Sequence, residues 1–546
     1  MMASKARWLG YGSSRRSVLD VVVVSELTEV EERRIRPFVT DTTGPVFALT
    51  NLPETVKGAL FARYSRSPKS LRRLLLDEFM ADGAGAAGEA AGVERAEALY
   101  DRMLAEYGDD SVAQLGGAHV AVEGVSNVLT KVLQWGRLAS YLEQSTRYIA
   151  YTDRPGGRWR YHTPAHVAAH PELGPQYTDV LDRAFAIYTD LLPRMTAHWD
   201  ARVPQDGTPA AARDRAIRAR ALDSLRGLLP AATTSNMGIF ASGQAYEALL
   251  IRLMAHPLAE ARECGERMLV QLRQVIPAFL SRVDRPDRGV RTAGYLSDVR
   301  TATARVAAEL LPPPPDAPCE PRVELVDWDP DGEDRVVAHA LWPDSGRSLA
   351  EVRELVRAMS SEDRGHVLAA YAGERGDRRH RPGRALEACT YTFEVTCDYG
   401  AYRDLQRHRL LTLQAQALTP HLGWALPPEV ADASLDGDYA RVMAESAQLH
   451  AALWEVFPQE APYAVSLAHR MRFTVVMNAR EAMHLIELRS QPQGHESYRR
   501  VAQEMHRRIA DVAGHRHIAG MMGFVDHSGA DAGRMAAERR REERLR

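Results

Sequence analysis

Between residues 391 and 399 apolar and polar positions alternate. Tyr391, Phe393, Val395, Cys397 and Tyr399 fall on one face, and Thr392, Glu394, Thr396 and Asp398 on the other. A period of two predicts a half-buried strand. A short turn containing Gly400 is expected next, then a helix-like run ending at Gln406-Arg407-His408-Arg409. The earlier chain carries the same pattern. Val120-Ala121-Val122 precede Gly124, and Val128, Leu129, Val132 and Leu133 recur at helical spacing up to Gln134-Trp135-Gly136-Arg137. Each pattern closes on an apolar-periodic stretch, roughly 240–254 and 473–489, that reads as a long amphipathic helix. Gln134 and Gln406 lie 272 positions apart, about half the chain. Strand, helix, polar junction and late helix in the same order twice predict a diverged tandem duplication.

The clearest break between the two is Pro312-Pro313-Pro314-Pro315-Asp316-Ala317-Pro318, which favours an extended spacer over helix or central strand. The expected organisation is an irregular arm over 1–20, a first domain over 21–310, a proline-rich linker over 311–322, a second domain over 323–528 and a charged tail over 529–546. Composition narrows the class: 546 residues, 45% apolar and 26% charged, describe an ordinary globular protein and exclude collagenous, wholly disordered and small disulfide-stapled chains. A net charge of −3 argues against nucleic acid held by bulk positive charge. Val21 to Val24, the longest apolar stretch near the start, is too short for a membrane span or a signal core, so a cytoplasmic protein without membrane attachment is expected. Cys264, Cys319, Cys389 and Cys397 show no CxxC spacing and no His cluster at metal-ligand intervals, which predicts four free thiols and no metal site.

Only four of the 69 basic residues are lysine, so arginine-rich motifs arise often by chance. The loop Gly83-Ala84-Gly85-Ala86-Ala87-Gly88 fits GxGxxG, but helix-like sequence on both sides, with no preceding strand, makes it a Gly/Ala loop rather than a phosphate cradle. Arg407-His408-Arg409 sets two fixed cations beside an imidazole, which suits a polyphosphate or an electron-rich ring edge. A second such triplet at 379–381 shows how cheaply the motif occurs. In Arg137-Leu138-Ala139-Ser140-Tyr141-Leu142-Glu143-Gln144-Ser145-Thr146-Arg147-Tyr148, Ser145, the Thr146 amide and Arg147 offer a hydroxyl, a backbone donor and a guanidinium within three residues, a set suited to a phosphate monoester. Glu143 could orient one of these groups or accept from a ligand.

Together these segments resemble the flavin-dependent thymidylate synthase family, whose signature is RHRxxSxNExSxRY. The first half matches it at Arg137, Ser140, Glu143, Ser145, Arg147 and Tyr148. Ala62-Arg63-Tyr64-Ser65 resembles the family's ARxS segment, and Gly108-Asp109-Asp110-Ser111-Val112 its GHxSV segment. In the second half Arg407-His408-Arg409 falls where RHR should. Asn478-Ala479-Arg480-Glu481-Ala482-Met483-His484-Leu485-Ile486-Glu487-Leu488-Arg489 is similar to the late helix NARELLHFxxLR. The resemblance implies an α+β fold: two tandem copies of a domain with a small antiparallel sheet and long helices, related by a pseudo-twofold axis.

The departures are complementary. In the first half Trp135-Gly136-Arg137 replaces RHR, Leu142 the Asn and Asp109 the His of GHxSV, while Arg252, His256 and Glu260 only approximate the late helix. The second half keeps RHR but reads Thr412, Gln414, Ala415, Ala417, Thr419 and Pro420 where the rest of the signature should be. By resemblance, one composite site is expected. Arg407, His408, Arg409, Asn478, Arg480, His484 and Ser65 would serve FAD. Glu143, Ser145, Thr146, Arg147 and Tyr148 would hold the nucleotide. Arg489 would contact the pyrimidine, and Ser140 would orient it. The implied reaction is transfer of a one-carbon unit from methylenetetrahydrofolate to C5 of a pyrimidine nucleotide, dUMP by default, with flavin hydride reduction and NADPH renewing the flavin. A repurposed flavoenzyme acting on another substrate, or a non-catalytic binding relic, are the alternatives. Family members are homotetramers, so a homodimer of this chain forming a pseudo-tetramer is expected. Arg480 and Arg489 stand nine residues apart, about 900° of helical rotation, and so should face opposite sides.

Overall fold

The computed structural model describes residues 27–65, 67–80, 114–203, 209–312 and 319–529. The arm over 1–20, the segments 83–88 and 108–112, nearly all of the proline spacer and the tail beyond 529 lie outside the described residues. Strands β1 (Gly117–Ser126), β2 (Ala139–Glu143) and β3 (Thr234–Ser242) form a sheet in the order β1-β3-β2. Strands β4 (Arg322–Trp328), β5 (Thr390–Asp398), β6 (Thr412–Ala415) and β7 (Arg470–Asn478) form a second, antiparallel sheet in the order β4-β5-β7-β6.

Without its extra edge strand β4, the second sheet repeats the order of the first. Helix Asn127–Leu133 follows β1 as helix Tyr399–Leu405 follows β5, and helix Gly243–Met254 follows β3 as helix Ala479–Arg489 follows β7. The tandem duplication read from sequence is therefore present in the topology, and the fold is α+β. Tyr399 Oη donates to the carbonyl of Asn127 at 3.1 Å, across 272 positions. That is the sequence offset between the copies, and a residue that meets its own counterpart lies on the local twofold.

The chain divides into two compact units. In the first (Met1–His119, Phe240–Ile251, Glu266–Thr292), helix Glu29–Ile35 opens with a capping box between Thr28 and Glu31, and helix Glu54–Tyr64 buries Val56, Ala59 and Leu60. Ser65 closes that second helix, its hydroxyl donating to the Ala62 carbonyl at 2.9 Å.

The second unit (Val120–Ile239, Arg252–Gly265, Ala293–Arg546) is built on β5 and β7. Tyr391 and Phe393 pair in register with Met477 and Val475, and all four are almost completely buried. Each such side chain contributes about 1.5–3 kcal/mol by leaving water. Helix Glu496–Asp511 packs on this sheet.

Two expectations need correction. The stretches over 240–254 and 473–489 are not helical throughout: each begins as the end of a strand, at Ser242 and at Asn478. The reason lies in the residues themselves. Phe473, Val475 and Met477 are buried while Thr474, Val476 and Asn478 are half-buried, a period of two, and Asn478 then caps the helix by accepting from the Glu481 amide at 2.9 Å. Nor is there a turn at Gly400. Asp398 caps helix Tyr399–Leu405 directly, and Gly400 lies in its first turn. A Cβ at Gly400 would stand 3.1 Å from Arg226 Nη2, so the glycine lets that guanidinium approach the backbone.

Gly227 is more tightly confined, since a Cβ there would fall 1.9 Å from the hydroxyl of buried Tyr439. Gly227→Ala is expected to cost about 1–3 kcal/mol by overpacking. Urea unfolding checks this, and an unchanged midpoint would contradict it.

Candidate functional site

The site grows from the polar junctions that follow each first strand and helix. Glu143, the last residue of β2, is enclosed with its carboxylate 1% exposed. Its Oε2 accepts from Lys131 Nζ at 2.8 Å and Gln134 Nε2 at 2.9 Å, while Oε1 accepts from Arg403 Nη2 at 2.8 Å. Arg407 Nη2 lies 3.5 Å from the same carboxylate. Burial works to raise the Glu143 pKa, but Lys131, Arg403 and Arg407 outweigh it and hold the carboxyl well below its ordinary range. Glu143 is thus an internal counter-ion joining the two copies, and its oxygens are already engaged.

Four residues further on, Arg147 makes a two-point pair with Asp223: Nε to Oδ1 at 2.7 Å and Nη2 to Oδ2 at 2.9 Å. Its Nη1 donates to Tyr498 Oη at 3.0 Å and its Nη2 to the Gln493 carbonyl at 3.3 Å. The Tyr498 ring also carries Arg489, whose guanidinium carbon lies 5.6 Å from the ring centroid, against 5.8 Å for Arg147. Arg147 of the first copy and Arg489 of the second therefore share one aromatic platform. Asp404 is their common counter-charge. Burial raises its pKa, but Arg407, Arg226, Arg489 and Arg147 prevail and bring it down to about 2.

In the RHR triplet, His408 is buried and its neighbours are exposed. His408 Nδ1 is 2.9 Å from Glu481 Oε1, and His408 Nε2 accepts from Arg489 Nε at 3.0 Å. His484 Nδ1 is 3.2 Å from Glu481 Oε2. Ligand atoms of His408, Glu481 and His484 lie within 4.8 Å of one another, a grouping that residue spacing could not reveal. Here they bond to each other, and the guanidinium beside His408 opposes a cation. Arg409 makes no hydrogen bond or ion pair with the described residues, and its charge lowers the phenol of Tyr141 on β2 against the larger, raising effect of burial.

The remaining expected residues are distributed more widely. Ser140 is exposed on β2, Thr146 is buried and Tyr148 is 58% exposed. Ser145 Oγ accepts from the Arg147 amide at 3.2 Å, which fixes the turn. Asn478 is a helix cap. Arg480 turns away from Arg489, as the helical rotation requires: its Nε donates to the Pro382 carbonyl at 3.1 Å and its Nη1 lies 3.5 Å from Glu387. Ser65 belongs to the first unit and closes a helix there.

A cleft of about 860 Å³ opens beside the arginine cluster, with Asp223, Arg226, Asp398, His495 and Ser497 in its lining. Arg226 is 4% exposed, its Nη1 lies 3.7 Å from Asp404 Oδ2, and its Nη2 has no hydrogen-bond acceptor. Arg403-Asp404, two charges inside the otherwise uncharged run 399–405, could have signalled the cluster from sequence. Asp223 and Tyr498 could not, because they reach Arg147 across 76 and 351 positions.

Geometry and topology together describe a duplicated α+β chain whose two copies both contribute to a buried arginine cluster. The family model described as Thymidylate synthase complementing protein matches residues 58–278 and 324–514, one segment in each copy, and the chain belongs to that family. A "UPF0159 protein" of Chlamydia muridarum is 37% identical over 533 residues, covering 94% of this chain and 98% of its own. A "UPF0159 protein" of Thermoplasma acidophilum is 31% identical over 512 residues, covering 89% and 98%. A "Flavin-dependent thymidylate synthase" of Mycolicibacterium gilvum is 27% identical over 187 residues, covering 33% of this chain and 69% of that protein.

Proposed function

We propose that the chain is an FAD-dependent enzyme that transfers a one-carbon unit from methylenetetrahydrofolate to C5 of a pyrimidine nucleotide, dUMP by default, with NADPH renewing the reduced flavin. The supporting observation is the convergence of Arg147 from one copy with Arg407 and Arg489 from the other around Asp404 and Tyr498. The donor set fits an anionic, electron-rich cofactor: exposed Arg407 and Arg409 flank a buried His408, with half-buried His484 beside it. When bound, FAD would supply the hydride chemistry. Arg407, Arg409 and His484 would hold it. Arg489, fixed by His408 and Tyr498, would orient the pyrimidine and stabilise charge developing on its carbonyls. No protein nucleophile is called for, and burial pushes the Cys389 thiol up to about 12, far from reactivity at neutral pH. Two chains would pair into a pseudo-tetramer. The exposed Leu138 and Leu142 near the composite site suit such a contact, and light scattering giving a single chain's mass would refute it.

The test is tritium release from C5-labelled dUMP by FAD-reconstituted protein with methylenetetrahydrofolate and NADPH. Arg409→Ala and Arg489→Ala are each expected to lower the rate by about 10²-fold, the usual loss of a positioned charge donor. Protein that never acquires flavin absorbance, or release that is indifferent to both variants, would sink the reading. The pairing of Arg147 with Asp223 favours a second reading, a flavoenzyme of this fold with another substrate. For the described residues, no helix is long and apolar enough to cross a membrane.

A further inference from the structure

Arg147 is the residue best suited to a substrate phosphate, yet its guanidinium already makes four hydrogen bonds from its five N–H groups. Nε and Nη2 hold the two oxygens of Asp223, Nη1 holds Tyr498 and Nη2 also reaches the Gln493 carbonyl. Asp223 lines the 860 Å³ cleft, whereas Arg147 is not part of its lining. A phosphate approaching from the cleft therefore meets a carboxylate before it meets the arginine. Arg226 lines the same cleft, and its buried Nη2 has no hydrogen-bond acceptor. Two negative groups cannot share the Arg147 fork, because a two-point guanidinium pair is filled by one acceptor group.

We propose that Asp223 is a specificity-determining residue that competes with the substrate's 5′-phosphate for Arg147, so that this site draws little of its affinity from the phosphate. The inference rests on the pyrimidine-nucleotide reading above and narrows its substrate class toward pyrimidines whose phosphate is weakly sensed or absent. Removing the carboxylate charge frees the fork, and a phosphate then gains both Arg147 and the idle Nη2 of Arg226.

The experiment uses full-length, FAD-reconstituted protein and calorimetric titration with dUMP and with deoxyuridine. In the wild type the dissociation constants are expected to differ by less than about tenfold, roughly 1.4 kcal/mol. Asp223→Asn is expected to widen the preference for dUMP by at least about tenfold, and Asp223→Glu to leave it unchanged. Inorganic phosphate alone should raise the melting temperature of Asp223→Asn more than that of the wild type, since a ligand bound by the native state stabilises it. An unchanged or narrowed preference in a cooperatively melting Asp223→Asn protein overturns the proposal and leaves the wider reading intact. Should that variant not fold, a wild-type preference for dUMP above about tenfold overturns it alone. If flavin binds but neither pyrimidine does, the reading itself fails and the proposal with it.

Discussion

Glu143→Ala is expected to lower the unfolding free energy by about 3–5 kcal/mol, the cost of leaving buried charges without their partner. A typical domain has only about 5–15 kcal/mol in hand, so the variant should melt far below the wild type. The reason is the number of cations that depend on one carboxylate. Lys131 and Arg403 are 7% and 4% exposed, both within 2.8 Å of Glu143, and Arg407 is drawn to it as well. Water cannot take over their solvation without opening the contact between the copies. Adding Lys131→Met to Glu143→Ala should recover part of the loss, because the cycle removes one orphaned charge. The pH dependence follows from the depressed carboxyl: its stabilisation is complete above the unfolded pKa of about 4.5 and is lost as pH falls through the lower folded value. Urea unfolding followed by circular dichroism measures all three. A loss below about 0.5 kcal/mol in Glu143→Ala would show the cluster to be solvated after all.

Much of this architecture was legible in the residues. The alternation over 391–399 identified β5, and the recurrence at an offset of 272 identified the duplication, since side-chain periodicity and repeat order are local properties. The limits of the late helices were not legible. Over 473–478 a strand period and a helix period both place Phe473 and Met477 inward, and only the β-branched run Thr474, Val475, Val476 favours the strand. Motifs located Arg147, Arg407, His408 and Arg489, but not what those groups touch. Nothing in the signature says that Glu143 faces four donors, or that Asp223 from helix Ala210–Leu225 closes over Arg147. Such pairings are set by tertiary packing, so a motif names the cation and leaves its counter-ion unknown. Arg480 shows the converse: its place in the late helix suggested a role beside Arg489, whereas 3.6 residues per turn sends it to Pro382 and Glu387.

His408 provides the second large effect, a loss of stability on mild acidification that one substitution should remove. Its Nε2 accepts from Arg489, which places the proton on Nδ1, where it serves Glu481. Protonating Nε2 would set an N–H against the Arg489 N–H and place another charge in a buried site. Burial, with Arg489 and His484 adding to it, accordingly lowers His408 to about 4 despite Glu481. The unfolded chain binds that proton near 6.5, so between about 6.5 and 4 the unfolded state holds more protons and stability falls as pH falls. The difference amounts to about 3 kcal/mol across the window, at 1.36 kcal/mol per pKa unit. Burial also works to raise Glu481, but its two histidine partners bring it down to about 2, so the stabilisation from this carboxylate is complete above about 4.5 and is lost only below that pH. His408→Gln keeps an acceptor for Arg489 and a donor for Glu481 but does not titrate. Between pH 7 and 4.5 the wild type should therefore lose about 2–3 kcal/mol more than His408→Gln, measured by urea unfolding at both values. Buried His450 and His469 and half-buried His495, whose pKa values are also lowered, titrate alike in both proteins and cancel in the comparison. Equal losses in the two proteins would mean that His408 takes up its proton in the fold as readily as in the unfolded chain. Once that proton is bound, Arg489 would lack the acceptor that holds its Nε.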